Sequence, residues 1–151
     1  MDHFLGVVMI VLFFPAAFLL QVSLASRASR WFSLLEAFPD QPVEPVLQLR
    51  AQNGKIGGAR MIGVLELGVC PTGLRVGLMW PLAEYWMDFF VPWDSITVIR
   101  SPIFRSVVRL HFGKPAIGTL RISKSLAGRL ATAAQRRWPE ETVAAGDVLR
   151  T

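Results

Sequence analysis

Cysteine is almost missing from this chain. Cys70 is the only one, so no internal disulfide can form and an oxidising compartment gains no support. Its setting, Leu67-Gly68-Val69-Cys70, reads as a strand in which the thiol acts as a small buried hydrophobe. Histidine is nearly as scarce. His3 and His111 stand alone, no HxxxH pair exists, and the acids are too scattered to build a carboxylate or metal site. No spacing singles out a Ser/His/Asp set, and His111 falls on the outward face of a strand. Asn53-Gly54-Lys55-Ile56-Gly57-Gly58 has glycines and a lysine but lacks the GK[ST] order that cradles phosphate. These absences argue against catalysis and imply no cofactor and no metal. There is no internal repeat and no low-complexity segment.

Charge is absent from Phe4 to Ala25, and the only polar side chains there, Gln21 and Ser23, come near its end. As a helix this run rises about 33 Å at about 1.5 Å per residue, enough to cross a hydrocarbon core of about 30 Å. A signal peptide is the competing assignment, and Ser23-Leu24-Ala25 would pass as its cleavage site. The lead-in Met1-Asp2-His3 has no Lys or Arg, however, and the apolar run exceeds the usual signal-peptide core. An uncleaved anchor is the better fit. Arg27 and Arg30 follow the span and no basic side chain precedes it, which predicts the N-terminus outside and the remainder cytoplasmic. Pro15 falls mid-span, where it removes a backbone donor and favours a kink. Gly6 has no small residue four positions on, so no GxxxG pairing face is present.

Acid is absent from Ser95 to Pro139, a stretch holding nine basic residues. All 16 basic residues lie at Arg27 or later with 10 of the 11 acids, so the part after the span carries net charge +6. Between Arg30 and Asp94 the balance reverses, with five basic against seven acidic. The positive field therefore belongs to the C-terminal half, and it favours acidic partners. An anionic lipid surface or an acidic protein partner fits best. Nucleic acid is disfavoured, because no aromatic–basic interleaving of a known binding motif occurs.

What is present divides the chain into four parts: an anchor over 1–26, a juxtamembrane helix and Pro-rich linker over 27–45, a β domain with a C-terminal helix over 46–138, and a tail over 139–151. Trp31, Leu34, Leu35 and Phe38 share one helical face, which either lies in the membrane interface or packs on the domain. Pro39, Pro42 and Pro45 then stiffen a linker. Leu47, Leu49 and Ala51 alternate with polar residues as a half-buried strand, and Asn53-Gly54 predicts a hairpin turn. A second strand over Met61–Cys70, the turn Pro71-Thr72-Gly73 and a return through Leu74, Val76 and Leu78 follow. Trp80 to Trp93 holds six aromatics, read as a loop over Pro81–Tyr85 and a strand over Met87–Val91. Strands at Ile96–Arg100, around Val107–Phe112 and at Ile117–Ile122 precede a helix capped by Ser123 that runs to Trp138. The tail from Glu140 is expected to fray.

Val69-Cys70-Pro71-Thr72-Gly73-Leu74, Phe89-Phe90-Val91-Pro92-Trp93-Asp94-Ser95-Ile96 and Leu110-His111-Phe112-Gly113, with Trp31 to Pro39 upstream, resemble a family of uncharacterised bacterial proteins with one N-terminal membrane helix. Met87-Asp88 departs from the proline-rich run this resemblance leads one to expect before Phe89. The element order resembles a pleckstrin-homology-like (PH-like) or GRAM-like domain. That resemblance implies a mainly antiparallel, bent barrel of six or seven strands closed by a C-terminal α-helix, on a single-pass protein of a bacterial inner membrane. It carries no activity, so function must come from the surface. Arg109, Arg121, Lys124, Arg129, Arg136 and Arg137 are the candidates for a basic binding face, with Arg129 and Arg136 seven apart on one helix side. Trp80 and Trp86 are the candidates for apolar contact. The resulting expectation is a non-catalytic, membrane-anchored binding module. A small structural subunit of a larger membrane complex is the alternative.

Overall fold

The computed structural model describes residues 2–80, 82–84 and 86–144. Helix α1 (Asp2–Ser29) runs through Pro15, and over His3–Gln21 it is long and apolar enough to cross a membrane. Arg30 adopts a left-handed conformation (φ 56°) and separates α1 from α2 (Trp31–Ala37). The apolar face of α2 packs on the domain: Trp31 and Leu34 are fully buried. The Trp31 ring lies 5.2 Å from Trp86 and 4.9 Å from Phe89, and its Nε1–H donates to the Met87 carbonyl at 2.9 Å. A buried indole needs such an acceptor.

The Pro-rich linker is bound to the sheet rather than free. Arg75 donates to Asp40 Oδ1 at 2.8 Å and to the carbonyls of Gln41 and Val43. Phe90 N–H donates to the Phe38 carbonyl, and Pro39 bridges Phe89.

Eight strands follow: β1 (Leu47–Ile56), β2 (Ala59–Val69), β3 (Gly73–Leu78), β4 (Phe89–Pro92), β5 (Ile96–Arg100), β6 (Val107–Phe112), β7 (Gly118–Ser123) and β8 (Glu141–Val143). They form one sheet in the order β4-β3-β2-β1-β7-β6-β5-β8. Every pairing is antiparallel except β5 with β8. Helix α3 (Lys124–Ala134) starts where Ser123 Oγ accepts from Leu126 N–H at 3.1 Å. The short α2 touches both β4 and β7, four places apart in the sheet. Seven residues of helix span about 10 Å, whereas four flat inter-strand steps would span about 19 Å. The sheet must therefore curl. Its inner face is apolar, with Leu65, Leu67, Val76, Phe89, Leu110, Phe112 and Leu120 all fully buried, and α3 packs on it through Leu126, Ala127, Leu130 and Ala134.

Four expectations need correction. The sheet has eight strands, not six or seven, because Glu141–Val143, expected to fray, pairs with β5 and is held by an Arg100–Glu141 ion pair. Asn53-Gly54 is not a turn. It lies inside β1, and the chain reverses at Gly57-Gly58, where Gly57 has φ 55°. Gly54 is required for close approach instead: a Cβ there would meet Leu65 Cδ2 at 3.0 Å and the Arg121 carbonyl oxygen at 3.2 Å. The C-terminal helix ends at Ala134, before a left-handed Gln135 (φ 55°), rather than at Trp138. The aromatic strand starts at Phe89 rather than Met87. Pro81 and Tyr85, and the tail beyond Ala144, lie outside the described residues.

Candidate functional site

The strand register assembles a basic row that crosses four strands. Arg60 on β2 stands opposite Lys55 on β1. Lys55 stands opposite Arg121 on β7, and Arg121 opposite Arg109 on β6. Direct partners in an antiparallel ladder project to the same side, so the four cations form one line on the outward face. Three inter-strand steps make that line about 14 Å long. Like charges placed directly opposite destabilise a sheet, and here three such pairs follow one another. No acid offsets them. Among the described residues the ion pairs are Arg50–Glu66, Arg75–Asp40 and Arg100–Glu141, and none includes a member of the row.

Beside the row, β1 and β7 part company. Their ladder holds only at Lys55–Arg121 and Ile56–Leu120, and the splay opens a cleft of about 790 Å³. Lys55, Arg60 and Arg121 line it together with the hydroxyl-bearing Ser106 and Ser123, and among the described residues no Asp or Glu does. Arg121 Nε is buried without a hydrogen-bond partner, and its guanidinium lies 5.8 Å from the centre of the Phe104 ring, within cation–π range. The start of β6 is fixed to the start of α3 by a hydrogen bond from Lys124 N–H to the Ser106 carbonyl at 2.8 Å. Two exposed apolar side chains stand beside the cations: Ile62, which lines the cleft and is 68% exposed, and Phe104, which lies against Arg121 and is 53% exposed.

Of the residues named from sequence, Arg109 and Arg121 come together as direct cross-strand partners, both half-buried. Lys124 and Arg129 are exposed on α3. Arg136 and Arg137 sit on a 3₁₀ turn beyond the left-handed Gln135, so helical spacing does not align Arg136 with Arg129. Trp80 is 77% exposed, as a contact residue must be. Trp86 requires correction. It is 3% exposed and stacked near Trp31, so it belongs to the core and offers no contact surface. Lys55 and Arg60 escaped notice in sequence, because they lie in the acid-rich half and in a segment that reads as a turn.

Titratable groups nearby and on the opposite flank are shifted. Burial and the Arg109 charge lower the His111 pKa below its ordinary value. Burial raises Asp88, with the Asp40 and Glu66 carboxylates adding to the effect. Burial likewise pushes the Cys70 thiol up, which makes it a poor nucleophile. No protein-family model and no curated protein sequence matches the chain.

Proposed function

We propose that this chain is a non-catalytic, membrane-anchored binding module whose basic sheet face meets an anionic phospholipid surface. The observation that carries the proposal is the acid-free row Arg60–Lys55–Arg121–Arg109. It begins on β1 and β2, the two strands that α1 touches, and the bound linker ties the juxtamembrane segment to the same sheet. A tether attached there keeps the row near the membrane. Each Lys or Arg close to an anionic leaflet contributes about 1 kcal/mol, so four in line would orient the domain without a deep pocket.

In this proposal α1 is an uncleaved single span of a bacterial inner membrane, with the N-terminus outside and the β domain cytoplasmic, as Arg27 and Arg30 favour. The fold is PH-like: two antiparallel meanders, β1–β4 and β5–β7, joined through β1 and β7, with a helix after the last meander strand, support that assignment. A protein partner remains the second candidate for the same domain, supported by the exposed Trp80.

Reconstitution of the full chain in nanodiscs tests the lipid contact. Backbone amides of residues 101–106, next to the row, should exchange more slowly when phosphatidylglycerol is added to phosphatidylcholine, and high salt should abolish the difference. Equal exchange in both discs would overturn it.

A further inference from the structure

The cleft between β1 and β7 does more than add charge to a flat surface. We propose that it is a binding site for one phosphorylated headgroup, with Lys55, Arg60 and Arg121 as the charge-bearing ligands and Ser106 and Ser123 as hydroxyl donors. This rests on the reading that the basic face meets phospholipid, and it names the group that is recognised there.

Four observations converge on phosphate. Three cations line one concavity with no acid among its described lining residues, whereas Arg50, Arg75 and Arg100 on this sheet are paired with Glu66, Asp40 and Glu141. Two of the three are arginines, whose planar forks match phosphate oxygens in pairs. Ser123 Oγ already accepts from Leu126 N–H, which leaves its O–H proton to be donated outward. Arg121 Nε–H is buried and has no acceptor among the described residues. The volume, about 790 Å³, exceeds what a bare phosphate fills and falls in the usual range for small-molecule sites. A phosphate carried on a small polar moiety fits better.

The rim points to the source. Ile62, which lines the cleft, and Phe104, which is held against Arg121, are each more than half exposed. Apolar side chains beside a cationic site suit the boundary between headgroups and acyl chains, so a lipid-borne phosphate should bind more tightly than a free one. Retaining three consecutive like-charge pairs works against sheet stability, and a phosphate bound among them offsets that repulsion.

The full chain in phosphatidylcholine nanodiscs, labelled with nitrogen-15 in its arginine side chains, provides the test. Titration with glycerol 1-phosphate, and separately with inorganic phosphate, should shift the Nε–H signals of Arg60 and Arg121 saturably while that of Arg129 stays still. Lys55→Gln should weaken binding by about tenfold, the loss of one charge-assisted contact. Lys114→Gln, outside the cleft, should leave it unchanged. Discs containing phosphatidic acid should produce the same shifts at lower phosphate concentration. Shifts of equal size at Arg129, or indifference to Lys55→Gln, would overturn the site. So would silence from Arg60 and Arg121 while residues 101–106 still gain protection in anionic discs, an outcome that leaves the surface reading standing. Loss of that protection would instead overturn the surface reading itself.

Discussion

Replacing Trp31 by alanine should cost the domain about 3–5 kcal/mol of stability. The side chain is fully buried. A Trp buries about 150–250 Å², which at about 25 cal/mol per Å² is worth about 4–6 kcal/mol as an upper bound. Truncation also leaves the Met87 carbonyl without the indole donor it holds at 2.9 Å, a further loss of about 1 kcal/mol. Measured Trp→Ala costs in cores cluster at about 3–5 kcal/mol, and that is the value to expect. The neighbouring Phe32, which is exposed, supplies the control: Phe32→Ala should change stability by no more than about 0.5 kcal/mol. Urea unfolding of the full chain in micelles, followed by the fluorescence of the remaining tryptophans, reads both. If Trp31→Ala and Phe32→Ala cost the same small amount, α2 does not form part of the core, and the fixed tether on which the lipid contact depends is lost with it.

Other perturbations follow from the same contacts. Lys55→Gln removes two like-charge oppositions. It should raise stability by a few tenths to about 1 kcal/mol at low salt, and by less at high salt; a destabilised variant in urea titrations would contradict the register. Asp88 has its pKa raised by burial, so in the native state it favours the proton. Its contribution is therefore favourable below the ordinary carboxylate pKa and is lost as pH rises through the raised value. Asp88→Asn should accordingly be more stable than the parent at neutral pH, with the gap closing in acid. His111 has a lowered pKa, so the unfolded chain takes up the proton first. Stability should fall as pH drops below the ordinary histidine value of about 6.5, and His111→Gln should flatten that slope in urea midpoints measured against pH.

Much of the fold follows from local pattern. Alternation along Leu74, Val76 and Leu78, and along Val108, Leu110 and Phe112, marked β3 and β6 with their inward faces, because period-two burial is written residue by residue. The proline turn at Pro71 and the Ser123 cap are equally local. The misjudged positions depend on distant neighbours. Asn53-Gly54 carries strong turn chemistry, yet Gly54 is needed where β1 lies against Leu120 and Arg121 of β7. Trp86 looks like any other aromatic of its segment until Trp31, 55 positions earlier, closes over it. The candidate site shows the same division. Arg109 and Arg121 could be placed on outward faces from alternation alone. Lys55 and Arg60 could not be joined to them, since only the β1–β7 pairing brings the acid-rich half against the basic one. A three-residue strand such as β8 is too short to show a period at all.

The most direct measurement places a fluorophore on the basic face of the full chain reconstituted in bilayers and asks how deep it sits. Ile62→Cys, in a Cys70→Ser background, puts the probe on the rim of the cleft, and Gln48→Cys puts it on the same two strands beside the neutralised Arg50–Glu66 pair. Lipids brominated in their acyl chains should quench the probe at position 62 when phosphatidylglycerol is present, and high salt should relieve the quenching, while the probe at 48 stays bright. Equal quenching at both positions, or none at 62 in anionic bilayers, would contradict a domain that rests its basic row on the membrane.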